Sequence, residues 1–325
     1  MIKVLLVPLS LAAVAAGWQV SQSSPPPVAV PAAENQRADR DGFDAFVSAD
    51  EVRDLAAAGA ILIDARSPEE YATAHLPGAI NLPGADLRTP SVSPGAGDSQ
   101  YVFLDDAGSV DVARYEQIFG EAGLTETDDV IVYGNHAGKA DGSVPAMLLD
   151  GLGHRGTIRF FDGIALSEWY KAGFEVETIA NTLPATTYTA APRDGFVWTL
   201  NDVLAHVDDR SAIFYDTRSA EEYSGSDLRK NARGGHIPGA LHADYAELLN
   251  ADKTVKTRDE IESILADQGL DQHKADGTPI VLYCQTSTRV SLPYLILREL
   301  GYENVHVYDA SWHEYGNRED TPIEK

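Results

Sequence analysis

Cysteine is nearly missing from this chain: Cys284 is the only one in 325 residues. A single thiol cannot close an internal disulfide, so it must be free, buried or working. Basic residues are scarce: 25 Lys and Arg stand against 50 Asp and Glu, a formal net charge of -25. That balance argues against nucleic acid or an anionic membrane as partner, because both are bound through basic surface. It fits a solvated surface, and it means that an anionic substrate needs a local positive site against a repulsive background. Metal-ligand spacing is absent among the nine His and the one Cys, and no Gly-rich nucleotide fingerprint is present. Neither a metal nor a cofactor is therefore expected.

Long apolar runs are also absent beyond the first residues. Lys3 precedes an apolar run from Val4 to Gly17, short for a membrane span, with Ala13-Val14-Ala15 offering a small-residue cleavage site. Residues 1–20 read as a signal peptide, which predicts an exported, periplasmic protein with no membrane association apart from that signal. Residues 21–42, with Pro25-Pro26-Pro27, read as a flexible linker.

What is present is a repeat. Leu62-Ile63-Asp64-Ala65-Arg66-Ser67-Pro68-Glu69-Glu70-Tyr71 matches Phe214-Tyr215-Asp216-Thr217-Arg218-Ser219-Ala220-Glu221-Glu222-Tyr223. His75-Leu76-Pro77-Gly78-Ala79 matches His236-Ile237-Pro238-Gly239-Ala240. The Asp offset is 152 and the His offset 161, so the second copy carries nine extra residues between Ser224 and Gly235. Ile131-Val132-Tyr133-Gly134 answers Val281-Leu282-Tyr283-Cys284, and Phe161-Asp162 with Trp169 answers Tyr308-Asp309 with Trp312. The period is about one domain, too long for a solenoid. Short apolar strands alternate with helical stretches such as Ala49–Ala58, Asp111–Ala122 and Arg258–Gln268, which predicts an α/β fold: two tandem domains, each a mostly parallel sheet flanked by helices. The domains are set at 43–177 and 195–325, with a Thr-, Ala- and Pro-rich linker at 178–194.

Cys284 follows the apolar run Ile280-Val281-Leu282-Tyr283 and heads the polar loop Gln285-Thr286-Ser287-Thr288-Arg289. Val290 to Leu300 then reads as a helix closed by Gly301. A strand end, a tight loop and a helix N-terminus make an anion cradle of free backbone N–H groups. A thiol in such a cradle is expected to be acidified and able to hold a covalent intermediate.

These residues resemble the tandem-domain rhodanese family of thiosulfate and 3-mercaptopyruvate sulfurtransferases, in its exported bacterial form. The resemblance runs from about Phe43 to the C-terminus. It implies a first domain without the catalytic cysteine, Gly134 standing in its place, and a Cys284 persulfide formed from a small-molecule sulfur donor and collected by cyanide or a thiol acceptor. It also implies that Arg289 and Arg218 hold the donor beside loop residues Gln285, Thr286, Ser287 and Thr288. An ion pair with a nearby carboxylate is the competing reading for Arg218, as it is for Arg66. His75 at the domain interface and Arg233 in the insertion are further candidates; His236, Asp64 and Asp216 read as loop-fixing.

Two departures bear on the donor. Ser287 stands where exported relatives commonly have Gly, so either the loop turns differently or a strained conformation is tolerated. Gln285 and Thr286 are neutral where thiosulfate users have basic residues, and they are not the small pair of mercaptopyruvate users. Thiosulfate is favoured on the two arginines. A cysteine phosphatase needs one more residue between Cys284 and Arg289. A sulfur carrier or protein-binding module with little turnover is the alternative from another class.

Overall fold

Several helices of this chain begin where a short polar side chain takes over the free amides of the first turn. In the computed structural model, which describes residues 43–88, 102–105, 107–134, 140–162 and 166–325, five capping boxes do this. Ser48 with Glu51 and Ser67 with Glu70 cap the first two helices; Thr199 with Asp202, Ser219 with Glu222 and Thr257 with Glu260 cap three of the second copy. The expected signal segment and the linker to residue 42 lie outside the described residues.

The first copy runs α1 (Ala49–Ala57), β1 (Ile61–Asp64), α2 (Pro68–Thr73), β2 (Ile80–Asn81), α3 (Val112–Glu121), β3 (Val130–Tyr133), α4 (Val144–Gly151), β4 (Ile158–Phe161) and α5 (Ser167–Lys171). The second runs β5 (Val197–Trp198), α6 (Leu200–Val207), β6 (Ile213–Asp216), α7 (Ala220–Ser224), β7 (Leu241–His242), α8 (Arg258–Asp267), α9 (His273–Asp276), β8 (Ile280–Tyr283), α10 (Ser291–Glu299), β9 (Val305–Tyr308) and α11 (Ser311–Tyr315). The helices expected from the pattern appear as α1, α3, α8 and α10, each within a residue or two of its expected ends.

Both sheets are parallel, in the orders β2-β1-β3-β4 and β5-β9-β8-β6-β7. The first copy completes the correspondence with a parallel bridge from Phe46 to Phe160 at its edge. Registers match as well: Asp64 pairs with Tyr133, and Asp216 with Tyr283. A parallel sheet carries helices on both faces and buries both.

Alternation along the strands sorts the core. Leu62, Ile131, Tyr133 and Phe161 pack on the outer face of the first sheet, and Phe214, Val281, Tyr283 and Tyr308 on that of the second. The alternate residues Ile63, Val130, Val132 and Phe160 share one cluster with Tyr215, Ile280, Leu282 and Val307. The inner faces of the two copies thus form a common core, crossed by α4 and α10. At that crossing the Ser143 and Ser291 hydroxyls lie 2.7 Å apart, and Tyr294 donates to Asp150 at 2.6 Å. Segment 178–194 is tied down on the first copy, with Thr186 N–H on Gly120 C=O and Ala191 N–H on Leu152 C=O. Gly153 permits this approach, since a Cβ there would stand 2.1 Å from the Ala191 oxygen. Among the described residues, no helix is long and apolar enough to cross a membrane.

Candidate active site

Strand β8 carries Ile280, Leu282 and then Cys284 on the inner face by its period of two. Cys284 is 1% exposed. Its backbone is fixed at both ends: the N–H donates to Ser311 Oγ at 3.1 Å, and the C=O accepts from Trp312 N–H at 3.0 Å. The Cys284 amide is therefore not among the free donors of the cradle.

The loop carbonyls are held in turn. Gln285 C=O accepts from His313 N–H at 2.9 Å, Thr286 C=O from Arg88 Nη2 at 2.7 Å, and Thr288 C=O from Ser291 N–H at 3.2 Å and Ser291 Oγ at 2.8 Å. A trans peptide points its N–H opposite to its C=O. Pinning a carbonyl outward therefore turns the following amide inward. Among the described residues, the amides of Gln285 to Val290 meet no acceptor within the protein. Helix α10 adds to this, because its N-cap Val290 supplies no side-chain acceptor. The result is a loop of free donors following the cysteine, an arrangement suited to negative charge.

Ser287 resolves the question of the missing glycine. It takes φ +53, the left-handed region, and its hydroxyl reaches Tyr308 C=O at 2.7 Å, Asp309 C=O at 2.5 Å and Ser311 Oγ at 2.8 Å. The loop keeps the tight turn, and the side chain anchors it to the end of β9. Ser311 also takes a positive φ, +54. Gln285 exchanges both amide hydrogen bonds with Asn231, at 2.9 and 3.0 Å, which ties the insertion to the loop. Thr288 Oγ1 leans only weakly on Thr286 C=O, at 3.4 Å.

The arginines expected at the donor are engaged elsewhere. Arg218 lies 1% exposed in a forked pair with Asp216, with Nη2 2.6 Å from its partner, and donates to Gly235 C=O at 2.7 Å. Its guanidinium sits 4.3 Å from the Trp312 ring centre. The structure thus contains the ion pair of the competing reading for Arg218. Arg66 repeats the pattern on Asp64 and Ala74 C=O. Arg289 closes the loop, but both terminal nitrogens grip Glu222, at 2.6 and 2.8 Å. Burial alone would lower the Arg289 pKa; the Glu222 hydrogen bond and the nearby Cys284 outweigh it and raise the value. Glu222, itself 1% exposed, would be raised by burial, yet the Arg289 hydrogen bond and charge hold it below the usual range.

Arg233 is half-buried. It donates to Thr321 C=O, Thr321 Oγ1 and Tyr315 C=O, pinning the C-terminal segment. His75 is fully buried, stacked on Tyr71 at 3.8 Å, with ring nitrogens 2.8 Å from Tyr71 C=O and 3.1 Å from Ile179 C=O. It belongs to the first copy's loop structure.

Four contributors were not singled out in the sequence. Arg88 lies in a stretch of the first copy without a repeat match. Glu222 and Ser311 are hidden inside repeated motifs, and Asn231 lies in the insertion, where only Arg233 drew notice. Only the insertion offered a signal: an added segment beside a loop often serves the site. Exposed Arg229 and Lys230 there face solvent, with Arg229 3.7 Å from Glu222.

Comparison with known proteins gives the family. The sequence matches the Rhodanese-like domain over residues 48–172 and again over 199–318. It is 30% identical over 281 residues to the thiosulfate sulfurtransferase of Azotobacter vinelandii, covering 83% of this chain and 93% of that one. It is 32% identical over 263 residues to a Mycobacterium bovis protein named "Putative thiosulfate sulfurtransferase 1", covering 78% and 87%. The fold superposes on the anaerobic ergothioneine biosynthesis enzyme of Chlorobium limicola with a TM-score of 0.72 at 20% identity, covering 86% of this chain and 70% of that one. That last likeness concerns the fold alone. With both halves matched in order, the chain belongs to the tandem-domain rhodanese family.

Proposed function

We propose that this protein transfers a sulfane sulfur through a persulfide on Cys284, with thiosulfate the favoured donor over 3-mercaptopyruvate. Family membership and the names of its relatives support sulfur transfer as the activity. The observation that carries the finer reading is the run of amides from Gln285 to Val290, without an acceptor among the described residues, directly after the only thiol of the sequence. In the first step the Cys284 thiolate attacks the outer sulfur of thiosulfate. The donor's S–S bond breaks, its electron pair leaves with sulfite, and the new persulfide keeps one negative charge. In the second step cyanide, or a thiolate, takes that sulfur and Cys284 leaves as thiolate. The loop amides stabilise the anionic persulfide and the charge that develops in each transfer.

With Arg218 and Arg289 occupied, the preference for thiosulfate rests on the relatives and on the free loop amides. Export to the periplasm is proposed from the N-terminal pattern alone, and cell fractionation tests it. The burial of Cys284 favours one second reading, a sulfur carrier of low turnover.

The deciding experiment offers thiosulfate or 3-mercaptopyruvate and follows two signals: gain of one sulfur in the intact mass, and thiocyanate released from cyanide. Turnover with thiosulfate supports the transferase. Loading without release supports the carrier. Thiocyanate formation undiminished in Cys284→Ala would sink both.

A further inference from the structure

The first copy holds no thiol, yet one of its side chains reaches the catalytic loop. Arg88 Nη2 donates to Thr286 C=O at 2.7 Å across the domain boundary. Of the four pinned loop carbonyls, those of Cys284, Gln285 and Thr288 are held by residues of the second copy. Thr286 is held by a charged group, which makes the stronger kind of hydrogen bond.

We propose that Arg88 is a positioning residue of the sulfur-transfer site, so that the thiol-free copy supplies part of the cradle. The inference rests on the sulfur-transfer reading for its function, though not for its geometry. Drawing the Thr286 oxygen toward Arg88 turns the Ser287 N–H the other way, among the free donors after Cys284. The guanidinium also polarises that peptide, which strengthens its N–H as a donor to an anion. Ser287 needs such a hold, because its φ of +53 is unfavourable for a residue with a side chain.

Arg88 is itself rigidly mounted. Its N–H donates to Ala85 C=O at 3.3 Å, and its C=O accepts from Arg114 Nη2 at 3.1 Å. Arg114 also holds Asp86 C=O at 3.0 Å, and Tyr115 OH holds Leu87 C=O at 3.0 Å. The turn is thereby braced on α3, and the arm that crosses to the loop starts from a fixed point. Arg88 also brings positive charge to this acidic chain near the loop; it is among the charges that act on buried Asp309.

The test compares wild type, Arg88→Ala and Arg88→Lys. Two rates are read on Cys284: persulfide formation from thiosulfate in a single turnover, and alkylation by anionic iodoacetate relative to neutral iodoacetamide. In Arg88→Ala, loading is expected to slow about tenfold or more, the scale of one lost charge-assisted hydrogen bond. The iodoacetate-to-iodoacetamide ratio should fall with it, while the melting temperature and the iodoacetamide rate hold. Arg88→Lys should recover most of both, since an ammonium also reaches a carbonyl. The proposal is overturned if Arg88→Ala matches wild type in both readouts. It is equally overturned if Arg88→Ala slows iodoacetamide as much as iodoacetate and Lys restores nothing. Should the wild type load from neither donor, the sulfur-transfer reading fails and the alkylation ratio alone decides the role of Arg88.

Discussion

The two copies share much of their scaffold bond for bond and differ at the loop after the central strand. Tyr71 stacks on His75 at 3.8 Å, and Tyr223 on His236 at 3.6 Å. Tyr133 OH accepts from Leu76 N–H at 3.1 Å, as Tyr283 OH does from Ile237 N–H at 3.2 Å. His75 exchanges backbone bonds with Glu177, and His236 with Glu324. The motif repeated most plainly is therefore architecture. The proposed chemistry lies where the repeat fails. A Cβ on Gly134 would stand 2.3 Å from Gly142 Cα, so the first copy has no room for a side chain where the second has its thiol.

That contrast is open to direct attack, and the largest effect comes first. Cys284→Ala should reduce thiocyanate formation to background at an unchanged melting temperature. Gly134→Cys should gain no activity and lose about 1–3 kcal/mol to overpacking, read by denaturant unfolding. A persulfide found on residue 134 would break the comparison. Next, Arg66→Ala and Arg218→Ala should each cost about 3–5 kcal/mol, because each leaves a buried aspartate unpaired. If Arg218→Ala loses activity at full stability, Arg218 touches the donor after all.

A several-fold effect is expected at Glu222. Glu222→Gln releases Arg289 toward the loop and should lower KM for thiosulfate about two- to fivefold, in line with one charge-assisted contact regained. An unchanged or raised KM would mean that Arg289 cannot turn from its place. The smallest effect is a pH slope. Burial raises the Asp309 carboxyl from 3.8 to about 7, against the pull of the Phe103 and Val102 amides. A raised carboxyl adds stability that is full below pH 3.8 and lost as pH climbs to about 7. The melting temperature of wild type minus that of Asp309→Asn should fall across that window and level above it. A flat difference would refute the assignment.

How much of this was legible follows from the same contrast. Duplication, parallel sheets and the Cys284 loop all rest on local patterns of period two, apolar runs and capping residues, so the sequence displays them. The partners of the arginines were not legible, because a lone Asp-x-Arg does not say whether the guanidinium turns back on its own aspartate or forward to a ligand. Burial decides that: at 1% exposure Arg218 needs a counter-charge, and Asp216 is two residues away. Arg88 was beyond reach for another reason. Its contact with Thr286 spans 198 residues and depends on how two domains meet.

The way they meet has one more consequence. Asp162 of the first copy accepts the Val255 N–H of the second at 2.5 Å, in the loop bridged between Leu249 and Val255. Asp309 of the second accepts the Val102 and Phe103 N–H groups of the first, at 2.5 and 2.7 Å, beside the bridge from Leu104 to Val110. Each copy offers its aspartate to the matching loop of the other, and the two serines meet between them. This is the reciprocity of a twofold, self-complementary interface, held within a single chain. In a true homodimer every substitution is made twice, so losing the thiol on one side loses it on both. Joined end to end, the halves are released from that symmetry. One can give up its own chemistry and keep an arginine aimed at its neighbour's.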